Sequence, residues 1–197
     1  MKKKTIALIV CLTLIIGCAV GGTIAWLTDK TAAVTNTFTA GDVDIDLTET
    51  DVEGDGTLTA NSYKMVPGNT ITKDPKVTVV AGSEACWLFV KVEKSANYST
   101  YLEDYVMATG WKELTAGSGV YYRAVDASST DQVFTVLASK EGYPDGYVVV
   151  KESVTKSDLE TAKTTPPTLK FTAYACQKDN VATAAEAWEK VNPTTAP

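Results

Sequence analysis

Residues 86–93, CWLFVKVE, are the most apolar strand candidate beyond the first thirty residues of the chain. Side chains of an extended strand alternate between two faces. One face carries Cys86, Leu88, Val90 and Val92, and the other carries Trp87 and Phe89. Because both faces are apolar, the stretch is typical of a strand in the middle of a sandwich. We therefore expect the other strands to be arranged around it.

Further strand patterns lie on both sides of this stretch. Residues 34–47 end in an alternation of apolar residues with Asp42, Asp44 and Asp46, which predicts a strand with one acidic, solvated face. Residues 71–80 are also strand-like, and Pro75 within them predicts an edge position or a bulge. The remaining strand candidates are residues 120–125, 132–137, 147–151 and 169–177.

Two short helices are predicted near the C-terminal end. Residues 155–163 contain Ser157 and Glu160 at the spacing of a capping box, and residues 183–191 have a capping box of their own, Thr183 with Glu186. Seven or eight short strands with polar turns and one or two short helices predict an all-β fold. The expected architecture is an antiparallel β-sandwich of the jelly-roll or Greek-key kind.

The composition excludes several classes of function. The 197 residues include no His, so Ser-His-Asp and Cys-His catalysis and the HExxH zinc site are excluded. The formal net charge is −6, whereas a nucleic-acid binder needs a clustered basic surface. Three of the bases are Lys2, Lys3 and Lys4, so the chain after residue 25 carries 15 bases against 24 acids, a net −9.

The N-terminus has the order of a secretory signal peptide. Basic Lys2–Lys4 precede an uncharged, largely apolar run from Thr5 to Leu27. Thr23 and Ala25 are tolerable residues at positions −3 and −1, which predicts cleavage before Trp26. The expected localisation is therefore secreted, at the cell surface or in an extracellular matrix, with no membrane-spanning helix in the cleaved chain.

Two alternatives to cleavage stay open, because the apolar run is long enough to remain as a membrane anchor and Ile15-Ile16-Gly17-Cys18 resembles a lipobox. The predicted organisation is a signal peptide at residues 1–25, a mature N-terminal segment at 26–40, a β-sandwich domain at 41–191 and a disordered tail at 192–197.

Export determines which cysteines remain in the mature chain and whether they can form a disulfide. Cys11 and Cys18 belong to the signal, which leaves Cys86 and Cys176 in the mature chain. In an oxidising compartment these two can form one disulfide, and the alternative is two separately buried thiols.

An acidic loop follows the first strand. Asp51, Glu53 and Asp55 alternate before Gly56, as at the start of a calcium loop. The twelfth position of an EF-hand would be Ser62 rather than Glu, so a solvated loop is the default interpretation and a weak calcium site is the alternative. No other metal or cofactor is expected.

The signal and roughly the first third of the mature chain resemble the TasA/camelysin family of exported Gram-positive proteins. The matching segments are Gly21-Gly22-Thr23-x-Ala25, Asn36-x-Phe38-Thr39-x-Gly41, Val66-Pro67-Gly68, Lys73-Asp74-Pro75-x-Val77 and the strand Trp87–Val92. The resemblance implies a jelly-roll domain, export through a dedicated signal peptidase, and a place in biofilm-matrix fibres. It also implies assembly in which the N-terminal strand of one subunit completes the sheet of the next.

The residues of the mature N-terminus are compatible with such a donor strand. Residues 26–39 contain no Pro or Gly and only two charges, and their apolar members include Trp26, Leu27, Val34 and Phe38. An extended segment of this kind can add to an exposed sheet edge. The alternative is that the segment forms an ordinary first strand of its own domain.

The expected function is therefore that of a secreted structural protein that self-assembles into fibres. One alternative is a monomeric, surface-anchored binding module that uses exposed aromatic residues such as Tyr98, Tyr101, Tyr105 and Trp111. A camelysin-like metallopeptidase is the less favoured alternative, because a chain without His would need carboxylate-only zinc ligands. No catalytic residue is predicted.

Overall fold

The computed structural model describes residues 41–56, 58, 61–138 and 146–192. Within these ranges the chain forms nine strands and three short helices. The strands are β1 (Ile45–Thr48), β2 (Thr70–Thr72), β3 (Lys76–Val79), β4 (Cys86–Lys94), β5 (Lys112–Glu113), β6 (Val120–Val125), β7 (Gln132–Thr135), β8 (Tyr147–Val149) and β9 (Leu169–Gln177). The helices are α1 (Tyr98–Tyr101), α2 (Lys156–Ala162) and α3 (Ala184–Val191).

The strands form three antiparallel sheets. The largest has the order β5-β6-β4-β9, and it faces a three-stranded sheet, β1-β3-β7, and a two-stranded sheet, β2-β8. Among the described strands, only β5 and β6 are both consecutive in the chain and paired with each other. The other connections pass between sheets or skip a strand, and this connectivity is typical of Greek-key sandwiches. The predicted all-β sandwich is confirmed.

Strand β4 lies at the centre of the largest sheet, as its apolar pattern predicts. It pairs with β6 on one side and along its whole length with β9 on the other. Leu88, Phe89 and Val90 are each 0% exposed. Burying one such side chain fully contributes about 1.5–3 kcal/mol, so this strand supplies a large part of the driving force for folding.

The two faces of β4 belong to different hydrophobic clusters. Leu88 and Val90 pack into the main core between the sheets, together with Val77 of β3 and Phe171 of β9. On the opposite face, Phe89 packs into a second cluster that includes residues of α3. The second face of the sheet is thus covered by a helix rather than by another sheet.

Helix α3 is held against the sheet by aromatic contacts. The Trp188 ring lies 5.3 Å from that of Phe89 and 5.1 Å from that of Tyr174, measured between centroids. On the segment that leads into the helix, the Val181 carbonyl accepts a hydrogen bond of 3.1 Å from Trp87 Nε1. The residues between β9 and the end of α3 therefore close the outer face of the sheet.

Pro75 divides the strand predicted over residues 71–80 into two. Strand β2 ends before it and pairs with β8, whereas β3 starts after it and is the central strand of a different sheet. The prediction of an edge strand or a bulge is therefore wrong. Pro75 is fully buried at the break, where it has no N–H to donate and its carbonyl accepts the Val136 N–H at 3.0 Å.

The capping box of α2 lies two residues earlier than predicted. Thr155, not Ser157, is the N-cap, and its hydroxyl oxygen accepts the Asp158 N–H at 3.2 Å while the Asp158 carboxylate accepts the Thr155 N–H at 2.8 Å. A two-residue shift of this kind arises because hydroxyl and acidic residues recur through the segment. In α3, Thr183 is the predicted N-cap and accepts the Glu186 N–H.

Cys86 and Cys176 are free thiols. Cys86 pairs with Gln177 across the β4–β9 ladder, whereas Cys176 pairs with Trp87. Because residues directly opposite each other share a face and consecutive residues alternate, the two thiols point to opposite faces of the sheet. Cys86 accordingly packs in the main core and Cys176 in the second cluster. The geometry favours two separate thiols over a disulfide.

The packing of α3 predicts that the Trp188 ring contributes strongly to the free energy of unfolding. Replacing Trp188 with Ala should lower the free energy of unfolding by about 2–4 kcal/mol, since two ring contacts and the cover over Phe89 are lost. Urea denaturation would measure the change. The control is Glu189→Ala, an exposed neighbour on the same helix, which should change stability by less than about 0.5 kcal/mol. Equal effects of the two substitutions would contradict the covering role.

Burial of Cys86 predicts an alkaline loss of stability. Desolvation raises the pKa of its thiol from 9.0 to about 11. The unfolded chain releases this proton first as the pH rises, so the stabilising contribution is complete below about pH 9 and is lost toward pH 11. Between pH 9 and 10, the free energy of unfolding should fall by up to about 1.4 kcal/mol. Under reducing conditions Cys86→Ala should flatten this slope, and Cys176→Ala should retain it. A slope unaltered in Cys86→Ala would refute the assignment.

Candidate assembly groove

Two strand edges border the same side of the sandwich. Within the described part of the chain, β1 pairs only with β3 and β9 pairs only with β4, and β1 contacts β9 across the sandwich. In β1 the Asp44 carbonyl accepts the Val80 N–H, so alternation turns the peptide groups of Ile45 and Leu47 away from β3. These groups form one free edge.

The edge of β9 follows from the same alternation. The Thr168 carbonyl accepts the Ser95 N–H, and the even-numbered residues that follow keep their peptide groups toward β4. The N–H and C=O groups of Leu169, Phe171 and Ala173 therefore point outward. Their side chains face the main core, so this edge combines free backbone donors and acceptors with an apolar surface.

A groove of about 740 Å³ lies between these edges. We call it the assembly groove. Its apolar lining comes from β1, β2, β9 and the loop before β2, and includes Ile45, Leu47, Met65, Ile71, Leu169 and Phe171. Leu58, which is 46% exposed, also lines it. Lys170 and the pair Pro166-Pro167 border the β9 side. The groove thus presents a long apolar strip next to unpaired strand edges.

One ion pair interrupts the apolar lining. Lys73 Nζ donates to Glu49 Oε2 at 2.7 Å, and the two side chains are 13% and 8% exposed. The same ammonium lies 5.5 Å from the centroid of the Phe171 ring and 6.0 Å from that of Tyr63. Burial, followed by the charge of Glu49, raises the pKa of the Tyr63 hydroxyl to about 12, so this phenol stays neutral.

Backbone contacts fix the positions of the two charged residues. The Glu49 N–H donates to the Leu58 carbonyl at 2.8 Å, and the Lys73 N–H donates to the Gly146 carbonyl. Gly146 has a φ of +74°, and a Cβ at this position would lie 2.6 Å from the Cβ of Asp74. A glycine is therefore required where the chain before β8 approaches the link between β2 and β3.

The acidic loop uses its carboxylates internally. Asp51 accepts the N–H groups of Gly54 and Gly56 at 2.7 and 2.8 Å, and these hydrogen bonds, that of Gly56 above all, lower the pKa of its carboxyl. Glu53 accepts the Ser62 N–H at 3.0 Å. The described residues contain no group of three or more acidic or Cys side chains placed to hold a metal. Asp51 and Glu53 are thus engaged with the backbone of their own loop.

The aromatic residues suggested for a binding surface lie inside the protein. Tyr98, Tyr101 and Trp111 are 1%, 4% and 9% exposed, and Tyr105 packs against the same core. The Tyr98 hydroxyl donates to the Glu103 carbonyl, and Trp111 Nε1 donates to the Thr135 carbonyl. The prediction that these rings are exposed is wrong. Tyr and Trp side chains can be buried when the hydroxyl or indole N–H donates a hydrogen bond to a backbone carbonyl.

The residues predicted for cleavage and strand donation lie outside the described residues. They are Thr23, Ala25, Trp26, Leu27, Val34 and Phe38. Within the described residues, no helix is long and apolar enough to cross a membrane.

The sequence alone does not reveal which strand edges would accept the predicted donor strand. Sequence alternation identifies the apolar face of residues 169–177, but it does not indicate which strand ends a sheet. The one available signal was the juxtaposition of Pro166-Pro167 and Lys170 with this strand, because prolines and lysines are common at edges that must not pair indiscriminately.

Comparison with known proteins gives one family. Residues 1–84 match the family described as camelysin metallo-endopeptidase, which includes the TasA proteins. The match covers the predicted signal, the predicted donor segment, β1, β2 and β3, which is 84 of the 197 residues. No curated protein and no solved structure gives a significant match. The match confirms, over residues 1–84, the resemblance to the TasA/camelysin family seen in the sequence.

Proposed function

We propose that the protein is a secreted, non-enzymatic structural component of the cell surface or biofilm matrix that assembles head-to-tail into fibres. In this proposal, residues 26–40 of one copy enter the assembly groove of the next as an added strand. The observation that carries it is the pair of free edges on β1 and β9 beside an apolar groove.

The chemistry of donor and groove is complementary. The groove offers outward peptide groups of Leu169, Phe171 and Ala173, and an incoming strand supplies the missing partners. In an extended donor, Val34 and Phe38 share a face and would point into the apolar lining. The segment lacks Pro and Gly, so nothing in it opposes a continuous ladder.

The proposed donor segment and the groove are different parts of one chain. The described chain begins at Gly41 beside Glu84, and it runs from there along β1 toward Glu49. Glu49 and Lys73 of the groove lie past the far end of β1. In this proposal the segment before Gly41 enters the groove of a neighbouring copy. Since donor and acceptor surfaces differ, the contact is open-ended and generates filaments.

The family description as a metallo-endopeptidase does not alter this proposal. The chain has no His, and zinc sites built from carboxylates alone are rare. The acidic loop residues Asp51 and Glu53 accept backbone hydrogen bonds. These observations favour a structural role over peptide hydrolysis.

The proposal predicts dependence on the N-terminal segment. The chain beginning at Trp26 should form filaments visible by electron microscopy, whereas the chain beginning at Gly41 should stay monomeric in sedimentation. Phe38→Asp should abolish assembly because a carboxylate would enter the apolar groove, and the matched control Thr37→Asp, on the opposite strand face, should assemble. Monomers of both the Trp26 and Gly41 chains at high concentration would refute the fibre proposal.

The groove predicts that a substitution on β9 abolishes strand acceptance, just as Phe38→Asp abolishes strand donation. The Ala173 N–H points away from β4, so Ala173→Pro should melt within a few degrees of the native chain yet lose the ability to accept a strand. Mixing it with Phe38→Asp should give discrete dimers and no filaments, since one chain retains only its donor and the other only its groove. Normal elongation of either variant alone would contradict insertion at β9.

The N-terminal residue of the mature protein shows whether the predicted signal peptide is cleaved, lipidated or retained. Trp26 identifies the cleaved form, a blocked lipidated Cys18 a lipoprotein, and Met1 a retained anchor. We expect Trp26, because Thr23 and Ala25 suit signal cleavage. Either other result would mean that the donor segment stays tethered to a membrane.

A further inference from the structure

The ion pair between Lys73 and Glu49 is an unusual feature of an apolar groove. Its two side chains are largely buried even in the isolated subunit. A buried ion pair seldom adds net stability compared with apolar residues of similar size. Its place in the groove therefore suggests a role in recognition, and the following inference rests on the proposed function.

The pair leaves hydrogen-bonding capacity facing the groove. An ammonium has three N–H donors, and Lys73 Nζ donates to Glu49 alone among the described side chains and carbonyls. In the isolated subunit, water can meet the remaining donors and the second carboxylate oxygen. A strand that fills the groove displaces this water, and each group left without a partner then weakens the interface.

The chemistry required of the incoming residue is narrow. An apolar side chain would satisfy neither ion, and a charged one would place an uncompensated charge beside a neutral pair. A primary amide offers a carbonyl oxygen to the ammonium and an N–H to the carboxylate without adding charge. A Thr hydroxyl must use one oxygen atom both to donate and to accept, whereas an amide carries its acceptor and its two donors on separate atoms and can contact both ions at once. A single Asn or Gln on the inward face would therefore complete the site best.

Residues 26–40 contain one amide side chain, Asn36. In an extended strand it shares a face with Val34 and Phe38, which flank it two residues away on either side. Asp29 and Lys30 cannot meet the pair together, because adjacent residues point to opposite faces. The apolar-amide-apolar order thus matches an ion pair set within an apolar lining.

We propose that Lys73 and Glu49 are the specificity-determining residues of the groove, and that they bind the Asn36 amide of the entering strand. This contact sets the register, because a shift of one residue would turn Asn36 away from the pair and bring Thr35 or Thr37 inward. A shift of two would place Val34 or Phe38 against the two charges. Strands without an amide at this position would bind more weakly.

The test is whether the effect of Asn36→Leu on the critical concentration changes sign when the ion pair is replaced by apolar residues. In the chain beginning at Trp26, Asn36→Leu should raise the critical concentration for filament assembly about tenfold, which is the usual effect of leaving buried polar groups unpaired. In a groove made apolar by Lys73→Met with Glu49→Leu, the same Asn36→Leu substitution should lower the critical concentration. Thr37→Leu, on the opposite face, is the control and should act alike in both grooves.

A second measurement does not depend on the stability of the apolar groove. In the chain beginning at Trp26 with Glu49→Gln and Cys176→Ser, which leaves no unpaired carboxylate in the groove, the double variant Asn36→Cys with Lys73→Cys should form intermolecular disulfides in filaments grown well above the critical concentration, seen as a ladder on a denaturing gel after oxidation. Thr37→Cys with Lys73→Cys should not. No ladder for the first pair, or an effect of Asn36→Leu that is the same in both grooves, overturns the inference. Filaments that depend on residues 26–40 would still support the proposed function, so the two failures are distinguishable.

Discussion

The burial of β4 on both faces is the constraint on which the rest of the structure depends. A strand with apolar side chains on each side requires two covers, and the chain supplies them by different means. The sheets β1-β3-β7 and β2-β8 cover Leu88 and Val90, while α3 covers Phe89. Since β4 must be central, β6 and β9 are placed on either side of it. With β9 paired to β4 on one side, its other side becomes the edge of the sheet.

That edge is a hazard, because apolar strands with free peptide groups promote indiscriminate pairing. The groove contains several features that limit this. Pro166-Pro167 cannot extend the ladder beyond Leu169, and Lys170 places a charge on the outer face of β9. The Lys73–Glu49 pair disfavours any strand that is apolar throughout. Such devices raise the selectivity of an edge without closing it, which suits an edge that receives a particular segment.

Sequence reasoning is most successful where a residue's environment follows from local alternation. The central position of CWLFVKVE, the full extent of β9 and the solvated face formed by Asp42, Asp44 and Asp46 could all be predicted from alternation. It is less successful where tertiary contacts decide. The break at Pro75 depends on a sheet switch, and the burial of Tyr98 depends on a carbonyl that its hydroxyl reaches. The opposite orientations of Cys86 and Cys176 depend on a register set by a distant strand.

The same limitation explains why the donor of the proposed assembly could be predicted and the acceptor could not. A donor strand is a contiguous segment, so its composition is readable from the sequence. The groove combines residues from β1, β2 and β9 that lie up to about 120 positions apart, as Leu47 and Phe171 do. Only the fold brings them together. Their free edges then appear as the counterpart of the segment that precedes Gly41.

The proposed assembly would couple strand binding to folding through this arrangement. Ile45, Leu47 and Phe171 line the groove and also pack against the main core that holds the inner face of β4. A strand inserted between them removes water from apolar surface that belongs to the core itself, and it pairs the peptide groups of β1 or β9. Binding of this kind stabilises the receiving subunit, because the ligand is bound by the folded state and not by the unfolded state. Each subunit within a filament would thus be completed by its neighbour, and the open groove would persist only at the growing end.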